Sequence, residues 1–122
     1  MPLEKTALGN IPSLAASQKR RVGSLDCRKI RTVSISCRVT YGVATSAVRI
    51  NLYYSADGEH YDTVPFAYFD VDRTNSITCQ ETHIFDFPEH GYMDIEVYNQ
   101  DSSVAATNAL IFVTVVRWKN KE

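Results

Sequence analysis

The residues of this 122-residue chain best suited to chemistry are three histidines, three cysteines and a run of carboxylates between Asp57 and Asp72. His60, His83 and His90 lack the i, i+4 spacing that lets one helix face offer two imidazoles to zinc, and no nucleophile motif surrounds them. They read as surface and loop histidines. A metalloenzyme of the cupin kind needs a histidine cluster that this spacing does not supply. Cys27, Cys37 and Cys79 form no CxxC pair and leave one thiol over, so they read as buried reduced thiols and not as a disulfide framework. Asp57, Glu59, Asp62, Asp70 and Asp72 are hard oxygen ligands of the kind calcium takes. Their spacing departs from the EF-hand loop, and solvation of turns and strand ends accounts for them equally well. The five glycines are scattered singly, so no loop is built to cradle phosphate. The expectation is a non-enzymatic protein with no catalytic residue, no metal and no cofactor.

The elements that position these residues are legible in the pattern VRINLYYSADGEHYD at 48–62. Val48, Ile50, Leu52 and Tyr54 share one parity, while Arg49, Asn51, Tyr53 and Ser55 share the other. Side chains alternate across a strand, so this segment covers a core with one face and meets water with the other. Asp57-Gly58 then supplies the positive dihedral of a tight reversal. Residues 32–40 alternate in the same way, with Val33, Ile35, Cys37 and Val39 inward. Residues 92–99 follow, with Met93, Ile95 and Val97 inward and Asp94, Glu96 and Tyr98 outward.

Further strands are expected at 17–22, ending in a turn at Gly23-Ser24, and at 66–71 behind Pro65. Another is expected at 76–85, where the apolar parity changes between Cys79 and Ile84 and suggests a bulge or a bend. Loops are expected at 41–47, 86–91 and 99–108. The last strand, 109–118, is apolar on both faces: Ile111, Val113 and Val115 on one, Leu110, Phe112, Val116 and Trp118 on the other. Such a strand is covered twice or presents a sticky surface. Residues 1–16 hold Pro2, Gly9 and Pro12 and read as an extended N-terminal arm, which either folds back over that strand or leaves it for a partner. Seven or eight short strands without a helical period describe an all-β protein, an antiparallel β-sandwich over 17–122 with the arm at 1–16. The pattern fits jelly-roll and immunoglobulin-like connectivity alike.

Apolar content of 44% and charged content of 22% are ordinary for a folded soluble domain. The net charge of −1 argues against general nucleic-acid binding. No apolar run reaches the ~18–20 residues of a membrane helix. Glu4 and Lys5 interrupt the place where a signal peptide needs its apolar stretch, so the expected compartment is the cytoplasm of the producing cell.

The charge is strongly divided. Residues 1–31 carry seven cations against two anions, whereas residues 57–101 carry eleven anions against Arg73 alone. This favours attraction between the basic end of one molecule and the acidic middle of another; the plainer reading is two solvated surfaces. On the first reading Lys5, Lys19, Arg20, Arg21 and Arg28 bind a partner, with Leu110, Phe112, Val116 and Trp118 as the apolar anchor. The expected assembly is a homo-oligomer, such as a trimer, that loosens in salt and without residues 1–16. Tyr53, Tyr61, Tyr98 and Trp118 read as outward aromatics, which anchor protein interfaces and also stack on sugars. A ligand surface of Tyr53, Asp57, Tyr61 and Asp62 is the rival expectation.

The order of LDCRKIRTVSISCRVT, VRINLYYSADGEHYDTVPFAYFDV and PEHGYMDIEVYNQD, closed by an apolar strand, resembles small β-sandwich accessory proteins of tailed-phage virions and prophages, the decoration or cement type and related tail modules. YYSADGEHYDT is similar to their Y-S-x-D-G-x-x-Y/W-D-T hairpin. Related S-x-D-G-x-x-W hairpins occur in discoidin-like and other carbohydrate-binding sandwiches, and here Tyr61 stands where an indole is commoner. The resemblance covers residues 18–118. It implies a virion protein without enzymatic activity that binds and stabilises a capsid or tail lattice. The alternative it leaves is a carbohydrate- or receptor-binding module.

Overall fold

The computed structural model describes residues 3–41, 46–72, 78–86 and 91–117. His90, Trp118 and the middle of the expected loop at 41–47 lie outside them.

The described residues form eight strands in order: β1 (Leu3–Leu14), β2 (Lys19–Asp26), β3 (Ile30–Thr40), β4 (Val48–Ser55), β5 (Ala67–Val71), β6 (Thr78–Asp86), β7 (Tyr92–Asn99) and β8 (Ala106–Arg117). They form two four-stranded sheets, β1-β8-β3-β6 (sheet A) and β2-β7-β4-β5 (sheet B). Every pairing is antiparallel. The first strand pairs with the last, the second with the seventh, the third with the sixth and the fourth with the fifth. The chain is thus one long ribbon rolled over itself. That is jelly-roll connectivity, the double-sheet solution to the edge problem, and it resolves the choice that alternation alone left open.

The core lies where the two inner faces meet. Sheet A contributes Val33, Ile35, Cys37, Val39, Ala109, Ile111, Val113 and Val115, and sheet B contributes Val48, Ile50, Leu52, Phe69, Val71, Met93, Ile95 and Val97, all buried. Removing a side chain of this size from water is worth about 1.5–3 kcal/mol, which is what holds two flat elements face to face. Buried polar groups are tied off locally. The Tyr41 hydroxyl donates to the Val71 carbonyl and accepts from the Val48 amide at 2.8 Å. The Asn99 amide donates to the carbonyls of Leu14, Ala15 and Val104. Asn99 thereby joins the β1–β2 and β7–β8 connections at one end of the roll.

Three expectations are corrected. Residues 3–14 are extended, but they are the edge strand β1, paired along β8, with Ile11 and Leu14 buried in the core. They lie beside the last strand and do not cover its face. Gly23 is not a turn: β2 runs through it, and the pairing with β7 slips between Arg21 and Gly23 as a bulge. β6 carries no bulge. Its register with β3 is continuous, and the parity break arises because Ile84 points outward and is 69% exposed. The Asp57 reversal is present as read, with Gly58 at φ +81°, in the segment 56–66 that joins β4 to β5.

Candidate functional site

Alternation gives each sheet an outer face, and the two outer faces differ in chemistry. On sheet B, cross-strand register sets Arg21 beside Glu96 and Asn51, and Lys19 beside Tyr98 and Arg49. Arg21 lies 2.6 Å from Asp94 and 3.5 Å from Glu96, and its guanidinium sits 4.0 Å from the Tyr53 ring centre. Tyr53 Oη and Asn51 Nδ2 both donate to Glu96 Oε1. Burial, and then the Glu96 carboxylate, push the Tyr53 phenol above its ordinary value. Lys19 caps the Tyr98 ring at 4.8 Å. Arg49 forks onto Asp70 and lies 4.1 Å from the Tyr68 ring, while Gln100 Nε2 also donates to Asp70. On this face cations are matched by carboxylates and aromatic rings, with Tyr68 56% exposed.

That network reassigns several expected binding residues. Tyr53 is not an open platform: it is 7% exposed, with its ring under Arg21 and its hydroxyl on Glu96. Arg21 pairs with Asp94 and Glu96 of its own chain, and Lys19, though exposed, lies over the Tyr98 ring. Arg28 pairs with Asp26 at 2.6 Å and lies near the Tyr92 ring. Arg20 is exposed on β2 opposite Val97. Lys5 sits in β1 opposite Thr114, and Val116 in β8 opposite Leu3 and Thr32, while their side chains are outside the described set.

The 56–66 segment holds Asp57, Tyr61 and Asp62. Asp57 Oδ1 accepts from the Glu59 and His60 amides and from Ser55 Oγ, and Oδ2 lies 2.8 Å from His60 Nδ1. Those hydrogen bonds, led by the His60 amide, hold the Asp57 carboxyl well below the usual carboxylate range. Asp57 shapes its own loop, as aspartates at reversals do. Asp57, Glu59 and His60 are also the three exposed groups whose ligand atoms lie within 4.8 Å of one another. Tyr61 is half-buried and Asp62 exposed. Asp70, expected among the possible calcium ligands, is held by Arg49 and Gln100.

Sheet A has a different outer face. Register places Leu110 beside Arg38 and Phe112 beside Ser36, with Gln80 and Thr82 beyond them on β6. Ser36, Arg38, Gln80, Phe112 and Thr114 line a shallow depression of about 390 Å³. Leu110 and Phe112 are half-buried, and Arg38 is exposed with no ion pair among the described residues. Hydroxyls surround this patch: Ser36 and Thr82 lie 2.7 Å apart, and Thr40 and Thr78 3.2 Å apart. Leu110 and Phe112 therefore face outward as read from the sequence. Arg38, Ser36 and Gln80 were not anticipated, because polar residues on an alternating strand carry no mark of which sheet neighbour they will meet.

Comparison with solved structures gives the fold company. The chain is similar to a structure of the infectious bursal disease virus Gx strain, with TM-score 0.60, 9% identity, and 98% of this chain against 33% of that one. It is similar to a family 16 carbohydrate-binding module, with TM-score 0.53, 9% identity, and 90% against 84% covered. It is also similar to the SPBc2 prophage-derived protein YomS, with TM-score 0.51, 12% identity, and 94% against 95% covered. The chain thus spans about a third of the length of the viral chain it matches. No family model and no curated protein matches the sequence. At these identities the likeness is one of fold: a β-sandwich of the kind found in structural and binding modules.

Proposed function

We propose that this chain is a non-enzymatic structural protein of a virion, of the capsid decoration or cement type, which binds a protein lattice through the outer face of sheet A. The observation that carries this reading is the contrast between the two faces. On sheet B's face the cations Arg21 and Arg49 are matched by its own carboxylates and aromatic rings, although Tyr68 stays 56% exposed. Sheet A's face offers the half-buried Leu110 and Phe112 beside the exposed Arg38, an apolar anchor next to a charge, with Phe112 and Arg38 lining a shallow depression. The virion assignment draws on the resemblance to phage accessory proteins, and jelly rolls are common in viral capsids. Many copies on a repeating shell make modest single contacts cumulative. Particles banded on a density gradient should carry the wild-type chain, and Phe112→Glu should reduce that co-sedimentation by about tenfold or more, as expected of an interface anchor. A wild-type chain that stays at the top of the gradient defeats the proposal.

A second reading is a carbohydrate-binding module using Tyr61 and Asp62 on the 56–66 segment, favoured by the likeness to the family 16 module. Glycan binding by the isolated chain, abolished by Tyr61→Ala, would select it.

A further inference from the structure

A rolled ribbon of two open sheets leaves four edge strands, and unpaired edges must be guarded against other chains. Three of the four carry recognisable guards. β1 is interrupted by a bulge between Ala7 and Gly9 and contains Pro12, which has no amide to donate. β2 has a bulge between Arg21 and Gly23, and the exposed cation Arg20 beside Val97. β5 is five residues long.

β6 is different. It is nine residues long, its register with β3 is unbroken from Thr32↔Asp86 to Thr40↔Thr78, and it contains no Pro, Gly, Lys or Arg. Ile84, on its outward side, is 69% exposed. Its guard is of another kind: Glu81 and His83 lie on the inward parity, between the buried Cys79 and the half-buried Phe85. They are 3.3 Å apart, and the His83 ring stacks on Phe69 at 4.3 Å. An incoming strand with apolar residues at these positions would take water from the Glu81 carboxylate and leave it only its 3.3 Å contact with His83.

One strand meets that demand. The midpoint of β6 is Thr82. Two copies of Thr78–Asp86 laid antiparallel about Thr82 pair along all nine residues, and they bring Glu81 of each opposite His83 of the other. The same register sets Cys79 opposite Phe85 and Gln80 opposite Ile84, so the buried and exposed rows also match. A carboxylate directly across an antiparallel pair can accept a hydrogen bond from the imidazole N–H opposite it, whereas two carboxylates or two cations set opposite each other oppose the pairing. We infer that β6 is a self-recognition edge, through which two copies of this chain join their A sheets into one continuous eight-stranded sheet about a two-fold axis at Thr82. The interface is isologous and closes at two copies. It does not depend on the virion role, and it lies on the edge of sheet A, leaving Phe112 on the face.

The test is the mass of the full chain by light scattering across a concentration series, together with three variants. The wild type should dimerise. Glu81→Lys, which removes the acceptor and sets Lys opposite His83, should weaken the dimer by about tenfold or more, and Glu81→Lys combined with His83→Glu should restore it, because the exchange again sets a donor opposite a carboxylate. That rescue separates lost recognition from lost folding. Thr82→Cys should form a disulfide-linked dimer under mild oxidation where the wild type does not. A wild type that stays monomeric at all concentrations overturns the inference. So does a dimer indifferent to Glu81→Lys, a dimer that the exchange fails to restore, or a Thr82→Cys chain that does not cross-link.

Discussion

Arg21 on β2 lies 2.6 Å from Asp94 on β7, and this contact joins the cationic front of the chain to its anionic middle within one molecule. The divided charge that suggested attraction between molecules is thus partly satisfied by the roll itself, because jelly-roll connectivity pairs the second strand with the seventh. The Arg21 side chain is 43% exposed, so solvent screens the ion pair and its share stays below about 1 kcal/mol. Its stacking on Tyr53 adds about 0.5–1 kcal/mol. Arg21→Ala should lower unfolding free energy by about 1 kcal/mol in a urea titration, and by less at about 1 M salt.

Deleting residues 1–16 removes an edge strand together with Ile11 and Leu14, which are 3% and 0% exposed. At about 1.5–3 kcal/mol for each buried side chain, the shortened chain should lose at least about 3 kcal/mol and bare the edge of β8. Thermal unfolding followed by circular dichroism should show a much lower midpoint. The truncation therefore reports on folding and not on an arm that grips a partner.

Asp57 is held ionised by the amides of its own loop, so its carboxyl in the folded chain lies below the unfolded value of about 3.9. A depressed carboxylate stabilises the fold above the unfolded value, and that contribution drains as pH falls through the folded one. The 56–66 segment should keep its shape through about pH 4 and loosen only well below it, where Asp57 takes up its proton in the folded chain. NMR shifts of the Glu59 and His60 amides should follow this titration, and in Asp57→Ala they should lose it.

Cys27, Cys37 and Cys79 are buried free thiols, and burial pushes the Cys37 thiol up to about 12. Because the thiolate is the reactive form, native protein at neutral pH should react slowly with a thiol reagent. All three groups should titrate at once in denaturant.

The strands with uninterrupted alternation were legible from sequence: β4 and β7 begin and end where the pattern does, and β3 starts two residues earlier. Where the pattern broke, the cause lay in pairing. Gly23 looks the same in sequence whether it turns the chain or bulges a strand. Ile84 breaks parity because β6 is an edge with room outside it. β1 was hidden because a bulge and Pro12 interrupt its alternation. Tyr53 and Glu96 were read correctly as outward, yet they are buried, because Arg21 and Asn51 cross the sheet to meet them. The site was less legible than the fold. Leu110 and Phe112 announced a second apolar face on β8, but only strand order puts Arg38 and Gln80 next to it.

The most direct measurement is binding to purified virions and to a glycan array by the wild-type chain, Phe112→Glu and Tyr61→Ala. Wild type and Tyr61→Ala should bind particles equally, Phe112→Glu should not, and none should bind glycans. Glycan binding that disappears in Tyr61→Ala, with particles ignored by every variant, would contradict the assignment of sheet A's outer face to a protein lattice.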